Sequence, residues 1–449
     1  MMRAAAWPGQ RRRRGWAGLL GVAALVIALT DVVVLLRRPP SESPLVGRDQ
    51  MQSAPVVAPP AVETLEQQLA RVARGVAKVR HLRFTSVPTP TYLPPHELAA
   101  RAARSVQDYT PEQADVDRRL LAALGAVAGD ADLRAMLASA LSQQVVGFYD
   151  PQTAELVVRA PAQDGRLGPL DEITLAHELE HLLADQTLGL PAQQNGEVPE
   201  RGEDAAYAAH TLVEGDATLT MVLYASRALS VDDQRRLPEE QAQQAAHLAD
   251  FAELPHFVQR GLTFPYEEGL KFVSALQRAG WSAVDAAYRR PPKSTLQILA
   301  PELYRSGQGA GTDPRDPGQL AGSWTRRAVM SFGAADLLFL FEAPGNNPAR
   351  RLPDPFLAAT SWRGGEVTVW TLGEQSAVGI ALEGEAGLCE AVRAWYTAAF
   401  PEAVAIESPR DGASHAFDGP DQDATLFCSG HEVRIGLAPD LATATRLSR

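Results

Sequence analysis

The sequence predicts a mainly helical α+β protein. Three observations carry this. Apolar residues recur at helical spacing over most of residues 62–304. Two short strand-like runs, 145–150 and 155–159, stand immediately before one of those helices. Beyond about residue 320, strand-like runs alternate with helices, as in a small α+β unit. At 449 residues the chain is long enough for two or three domains and a large core. Its composition, 45% hydrophobic and 21% charged, is that of a folded protein, and a net charge of −12 argues against a nucleic-acid partner.

Residues 1–38 read as an arginine-rich tail and a membrane anchor. Residues 15–36 are apolar and long enough to span a bilayer, with Asp31 the one charge near the far end. Five arginines precede the span and Arg37 and Arg38 follow it. The positive-inside rule then expects a single-pass protein of the cell membrane, with a cytoplasmic N-terminus and the remainder outside. No small-x-small cleavage site follows the apolar run, which favours an uncleaved anchor over a signal peptide. Residues 39–61, rich in Pro and Ser, read as a linker.

Residues 62–310 are expected to form the main domain. Leu65, Leu69, Val72, Val76 and Val79 mark a first helix. A short irregular strand is expected within 83–93, and helices over 94–109, 111–127 and 131–143, two of them opening on prolines. The two strand-like runs then form a hairpin across residues 151–154. Lying beside the next helix, it would either bind an extended peptide by strand addition or simply cover that helix.

The next helix, 171–186, reads DEITLAHELEHLLADQ and contains His177-Glu178-Leu179-Glu180-His181. Asp171 is the expected N-cap, and no Gly or Pro interrupts before Gly189. Residues four apart share one helix face, so two imidazoles can grip one metal ion. Glu178, about 100° around the axis from His177, falls beside that ion as a general base. A bare HExxH arises by chance in roughly one chain in a hundred of this length, so context matters. Leu175, Leu179, Leu182 and Leu183 supply a buried face.

A catalytic site needs a third ligand from another segment. The helix expected over 203–226 offers Glu214 within the apolar and small-residue run 211–220, where an unpaired carboxylate would be costly. His210 and Asp185 compete for that role, and Asp216 is a candidate carboxylate for orienting a ligand histidine. Residues 234–257 read as helix and 255–262 as a connection. Tyr266, after Pro265, is either a packed tyrosine or a donor to a developing oxyanion. Further helices are expected over 281–288 and 294–304, and a Gly/Asp/Pro loop at 306–318 suggests a domain boundary. Residues 320–449 are expected to hold strands near 328–330, 367–372, 377–382, 424–428 and 432–436, with helices over 334–341 and 386–400. Cys389 and Cys428 either pair or stay as buried thiols.

Together, GFYDP (147–151), AHELEHLLADQ (176–186), LVEGDAT (212–218), FPYEEGLKFV (264–273) and STLQILAPELY (294–304) resemble the gluzincin metallopeptidases. More narrowly, they resemble a little-characterised prokaryotic group of membrane-anchored or secreted zinc peptidases. The resemblance covers about residues 62–304 and leaves out the C-terminal unit. It implies a zincin-like catalytic domain with a small sheet next to the HExxH helix. It implies zinc (Zn2+) held by His177, His181 and Glu214, with Glu178 as catalytic base. That group usually carries a histidine where this chain has Ala300, which bears on activity or specificity. The expected function is zinc-dependent hydrolysis of a peptide or protein substrate. The alternative is a non-catalytic envelope scaffold on the same fold, which a fourth protein ligand would favour.

Overall fold

The computed structural model describes residues 63–161, 165–191, 202–245, 249–314, 316–407 and 414–449. The expected anchor and linker lie outside the described residues. Among the described residues no helix is long and apolar enough to cross a membrane. The single-pass membrane location expected from the sequence is corrected on that finding.

The first half is mainly helical, with a three-stranded sheet packed beside one of its helices. Helix α1 (Leu65–Arg80) opens on a capping box in which Thr64 and Gln67 each satisfy the other's backbone N–H. Strand β1 (Thr91–Leu93) is shorter than the sequence suggests and is followed by α2 (Pro95–Arg104), α3 (Pro111–Ala123) and α4 (Leu133–Gln144). Strands β2 (Gly147–Asp150) and β3 (Glu155–Arg159) form the expected hairpin. The sheet order is β1-β3-β2, with β1 parallel to β3, so β2 is an outer strand.

Helix α5 (Pro169–Thr187) carries the HExxH residues. It starts two residues before the expected N-cap. Gly168 takes that position and Pro169, which has no N–H to satisfy, begins the helix. Asp171 sits in the first turn instead and accepts from Arg159 Nε at 2.8 Å. Helix α6 (Glu203–Arg227) packs against α5 and is buried along most of its length. Both helices are buried on nearly every side, and they carry polar side chains into the interior, among them Glu172, Glu180 and Asp216.

After α7 (Val231–Ala245) comes the largest departure. Helix α8 (His256–Gln277) runs unbroken through Pro265 and takes in the connection expected over 255–262. A proline inside a helix leaves the carbonyl four residues earlier without its donor. That carbonyl is Gly261 O, and the Tyr207 hydroxyl from α6 donates to it at 2.7 Å. Helices α9 (Trp281–Arg289), α10 (Thr295–Leu299) and α11 (Pro301–Ser306) complete this half.

The second half is a seven-stranded antiparallel sheet flanked by helices. Strand β4 (Thr325–Ser331) leads into α12 (Ala334–Glu342), then the long strands β5 (Trp362–Leu372) and β6 (Gln375–Gly384). Helix α13 (Leu388–Ala399) precedes β7 (Val404–Ile406), β8 (Ser414–Asp418), β9 (Asp423–Ser429), β10 (Glu432–Ala438) and α14 (Leu441–Leu447). The strand order is β4-β5-β6-β10-β9-β8-β7. Cys389 on α13 and Cys428 on β9 are joined as a disulfide. One apolar core runs through both halves, from Val72 on α1 to Leu437 on β10. Phe339 on α12 meets Phe257 and Phe264 on α8 edge to face, with ring centroids 5.4 and 5.5 Å apart. Helices α5, α6 and α8 lie at the heart of the first half, and the site is built on them.

Candidate metal centre

Four residues per step on α5 bring His177 and His181 to one face, their rings edge to face at 4.6 Å between centroids. Glu214 reaches the same point from α6. His181 Nε2 is 3.0 Å from His177 Nε2, and Glu214 Oε2 lies 3.3 Å from His177 Nε2 and 3.6 Å from His181 Nε2. These three side chains form a group that can hold a metal ion. Ligand atoms around a tetrahedral ion at 2.0–2.1 Å stand roughly 3.3–3.4 Å apart. The observed triangle has that size, and its donor set, two imidazoles and a carboxylate, is one that divalent transition metals take. The residues fit the ion.

The charged groups at this point act strongly on one another. Burial works against the Glu214 carboxylate, yet His181 and His177 hold it well below the usual carboxylate range. Burial pushes His177 down to about 4. Burial opposes charge on His181 too, yet Glu214, Glu178 and Glu180 together raise it to about 9. Glu178 is pushed up to about 7, by burial first and by the neighbouring Glu214 as well. A carboxyl poised there can accept and return a proton near neutral pH. Its orientation is fixed from β2, where the Tyr149 N–H donates to Glu178 Oε2 at 2.8 Å.

The other candidates fall elsewhere. Asp185 accepts from the Tyr149 hydroxyl at 2.7 Å and stays outside the group. His210, one turn before Glu214, brings Nδ1 to 3.8 Å from Glu214 Oε1 and is not part of the triangle. Asp216 does not serve a ligand histidine as anticipated. Two residues past Glu214 it points to the far side of α6, where it pairs with Arg80 at 3.0 Å and accepts from Tyr288 at 3.1 Å. Tyr266 does belong to the site: its phenol donates to Glu214, and its ring centroid is 6.2 Å from that of His177. Ala300 is buried at the junction of α10 and α11.

Sequence reasoning missed two contributions. One is the backbone hold of Tyr149 on Glu178, which the placement of the hairpin just before α5 hinted at. The other is Glu180, the second variable position of the motif, which is fully buried against Arg80. Burial and the adjacent Asp216 carboxylate push the Glu180 carboxyl well above its ordinary range.

No family model, curated protein or solved structure matches this chain.

Proposed function

We propose that the protein is a zinc-dependent peptidase. The observation that carries this reading is the buried triangle of His177, His181 and Glu214 with Glu178 ordered at its side. Three protein ligands suit a working site, since a structural zinc is closed by four. A zinc ion there would supply Lewis acidity, polarising a carbonyl and acidifying a water.

The chain's own groups do the rest. Glu178, oriented by the Tyr149 N–H, would take the proton of the attacking water and pass it to the departing amine. Tyr266, beside Glu214, fixes the third ligand. Strand β2, an outer strand of its sheet, spends its Tyr149 N–H on Glu178 and so holds that carboxylate beside the triangle.

The test is elemental analysis of the full chain purified without added metal, beside Glu214→Ala and Glu178→Gln. About one zinc per chain in the parent and in Glu178→Gln, little in Glu214→Ala, and peptide cleavage by the parent alone would support the reading. A parent that neither carries zinc nor takes it up would sink it, and would move the weight to a non-catalytic scaffold.

A further inference from the structure

The Arg80 guanidinium, at the last residue of α1, is fully buried. It is 3.4 Å from Glu180 on α5 and 3.0 Å from both Asp216 on α6 and Asp285 on α9. The Trp281 ring lies against it, 4.4 Å from centroid to guanidinium carbon. Trp281, Asp285 and Tyr288 recur at four and three residues, so one face of α9 supplies the stacking ring, the third carboxylate and the hydroxyl that holds Asp216.

The angular positions matter. Each residue advances a helix by about 100° around its axis. On α5, Glu178 therefore lies about 100° to one side of His177 and Glu180 about 60° to the other, with His181 between them at about 40°. Glu178 and Glu180 thus flank the histidine face on opposite sides. On α6, Asp216 lies about 200° from Glu214, on nearly the opposite face. Arg80 holds α5 by its flank and α6 by its back, at two residues that are not members of the triangle.

We infer that Arg80 is a positioning residue: it fixes the rotation of the two ligand helices about their axes and so sets the spacing of His177, His181 and Glu214. The lever explains why this counts. A ligand atom sits roughly 6 Å from its helix axis, so a turn of about 10° moves it by about 1 Å. A metal tolerates about 0.2 Å in its ligand distances. A single planar donor can lock both rotations because it meets carboxylates from two helices at once, which an ammonium group cannot do with the same geometry.

This inference rests on the metal reading above, and zinc affinity tests it. Arg80→Lys and Tyr288→Phe are compared with the parent by chelator competition, each checked for folding by circular dichroism. Cys389→Ser, which loosens the distant second half, serves as the control for lost stability. Arg80→Lys should bind zinc about 10- to 100-fold more weakly, the range for residues that orient ligands, with a smaller loss in Tyr288→Phe. Cys389→Ser should bind like the parent. If Arg80→Lys does not fold, Tyr288→Phe and Trp281→Ala carry the same comparison. Zinc affinity within twofold of the parent in the folded variants overturns the inference and leaves the metal site standing. A parent without zinc removes both.

Discussion

Gly215 and Gly269 meet backbone to backbone where α6 crosses α8. A Cβ placed on Gly215 would come within 2.7 Å of Gly269 Cα, and one on Gly269 within 2.9 Å of Gly215 Cα. Real Cβ atoms do not approach so closely, so the crossing requires both glycines. It also lies one residue from Glu214 and three from Tyr266, which is how a ligand and its hydrogen-bond donor come to face each other.

Gly215→Ala should therefore do two things. It should destabilise the fold by about 1–3 kcal/mol through overpacking. It should also weaken metal binding, because α8 must shift and take Tyr266 with it. Thermal unfolding and metal titration of the variant check both, and a variant as stable as the parent would mean that the helices part without strain.

Tyr266→Phe isolates the second effect. The ring stays and only the donor to Glu214 is lost. Metal affinity should fall by about tenfold, in line with other groups that orient ligands. Chelator competition reads this directly, and an unchanged dissociation constant would make Tyr266 a packing residue alone.

A pH dependence arises away from the metal. Burial pushes Asp204 up to about 6, against hydrogen bonds from Thr295. Burial, with Asp204 and Glu203 close by, pushes Asp336 up to about 7 although the Gly333 N–H donates to it. In the unfolded chain such carboxyls titrate near 4. The folded state therefore binds these protons more tightly. Their contribution to stability is complete below about pH 4 and is lost as pH rises through about 6 and 7, on the order of a few kcal/mol for the pair. Asp336→Asn keeps an acceptor for Gly333 and should flatten the decline. Urea unfolding of parent and variant at about pH 5 and pH 8 measures it, and equal declines would refute the assignment.

The Cys389–Cys428 bridge spans 39 residues and ties α13 to β9. Replacing both cysteines by alanine should cost about 3–4 kcal/mol, the entropy of a loop of that size. The metal triangle lies in the other half and should keep its affinity. Loss of metal in the double variant would show that the halves act on each other through the shared core.

Much of this was readable from residue spacing. His177 and His181 share one face as their spacing implied, because four-residue steps on a helix leave little freedom, and Glu214 reaches them from a second helix. What stayed hidden depended on residues distant in sequence. Proline at 265 argues for a break, and the rescue comes from Tyr207, 54 residues from the Gly261 carbonyl it serves. Asp171 has the right chemistry for a cap, but Pro169 starts the helix earlier. An orienting role for Asp216 overlooks that two steps along α6 carry it to nearly the opposite face from Glu214. In the second half, β7, β8 and α14 escaped notice because they are short, and short elements have too few residues to show a period.

The burial of the ligands also sets how an ion comes and goes. The His177 and Glu214 side chains are 2% and 6% exposed, whereas that of His181 is 12% exposed. Access to the triangle is thus narrow and opens beside one imidazole. An ion entering there would meet His181 first, and on leaving would release it last. Exchange through such an opening would be slower in both directions than at an open site of the same affinity, so an ion once bound would be lost to dialysis more slowly.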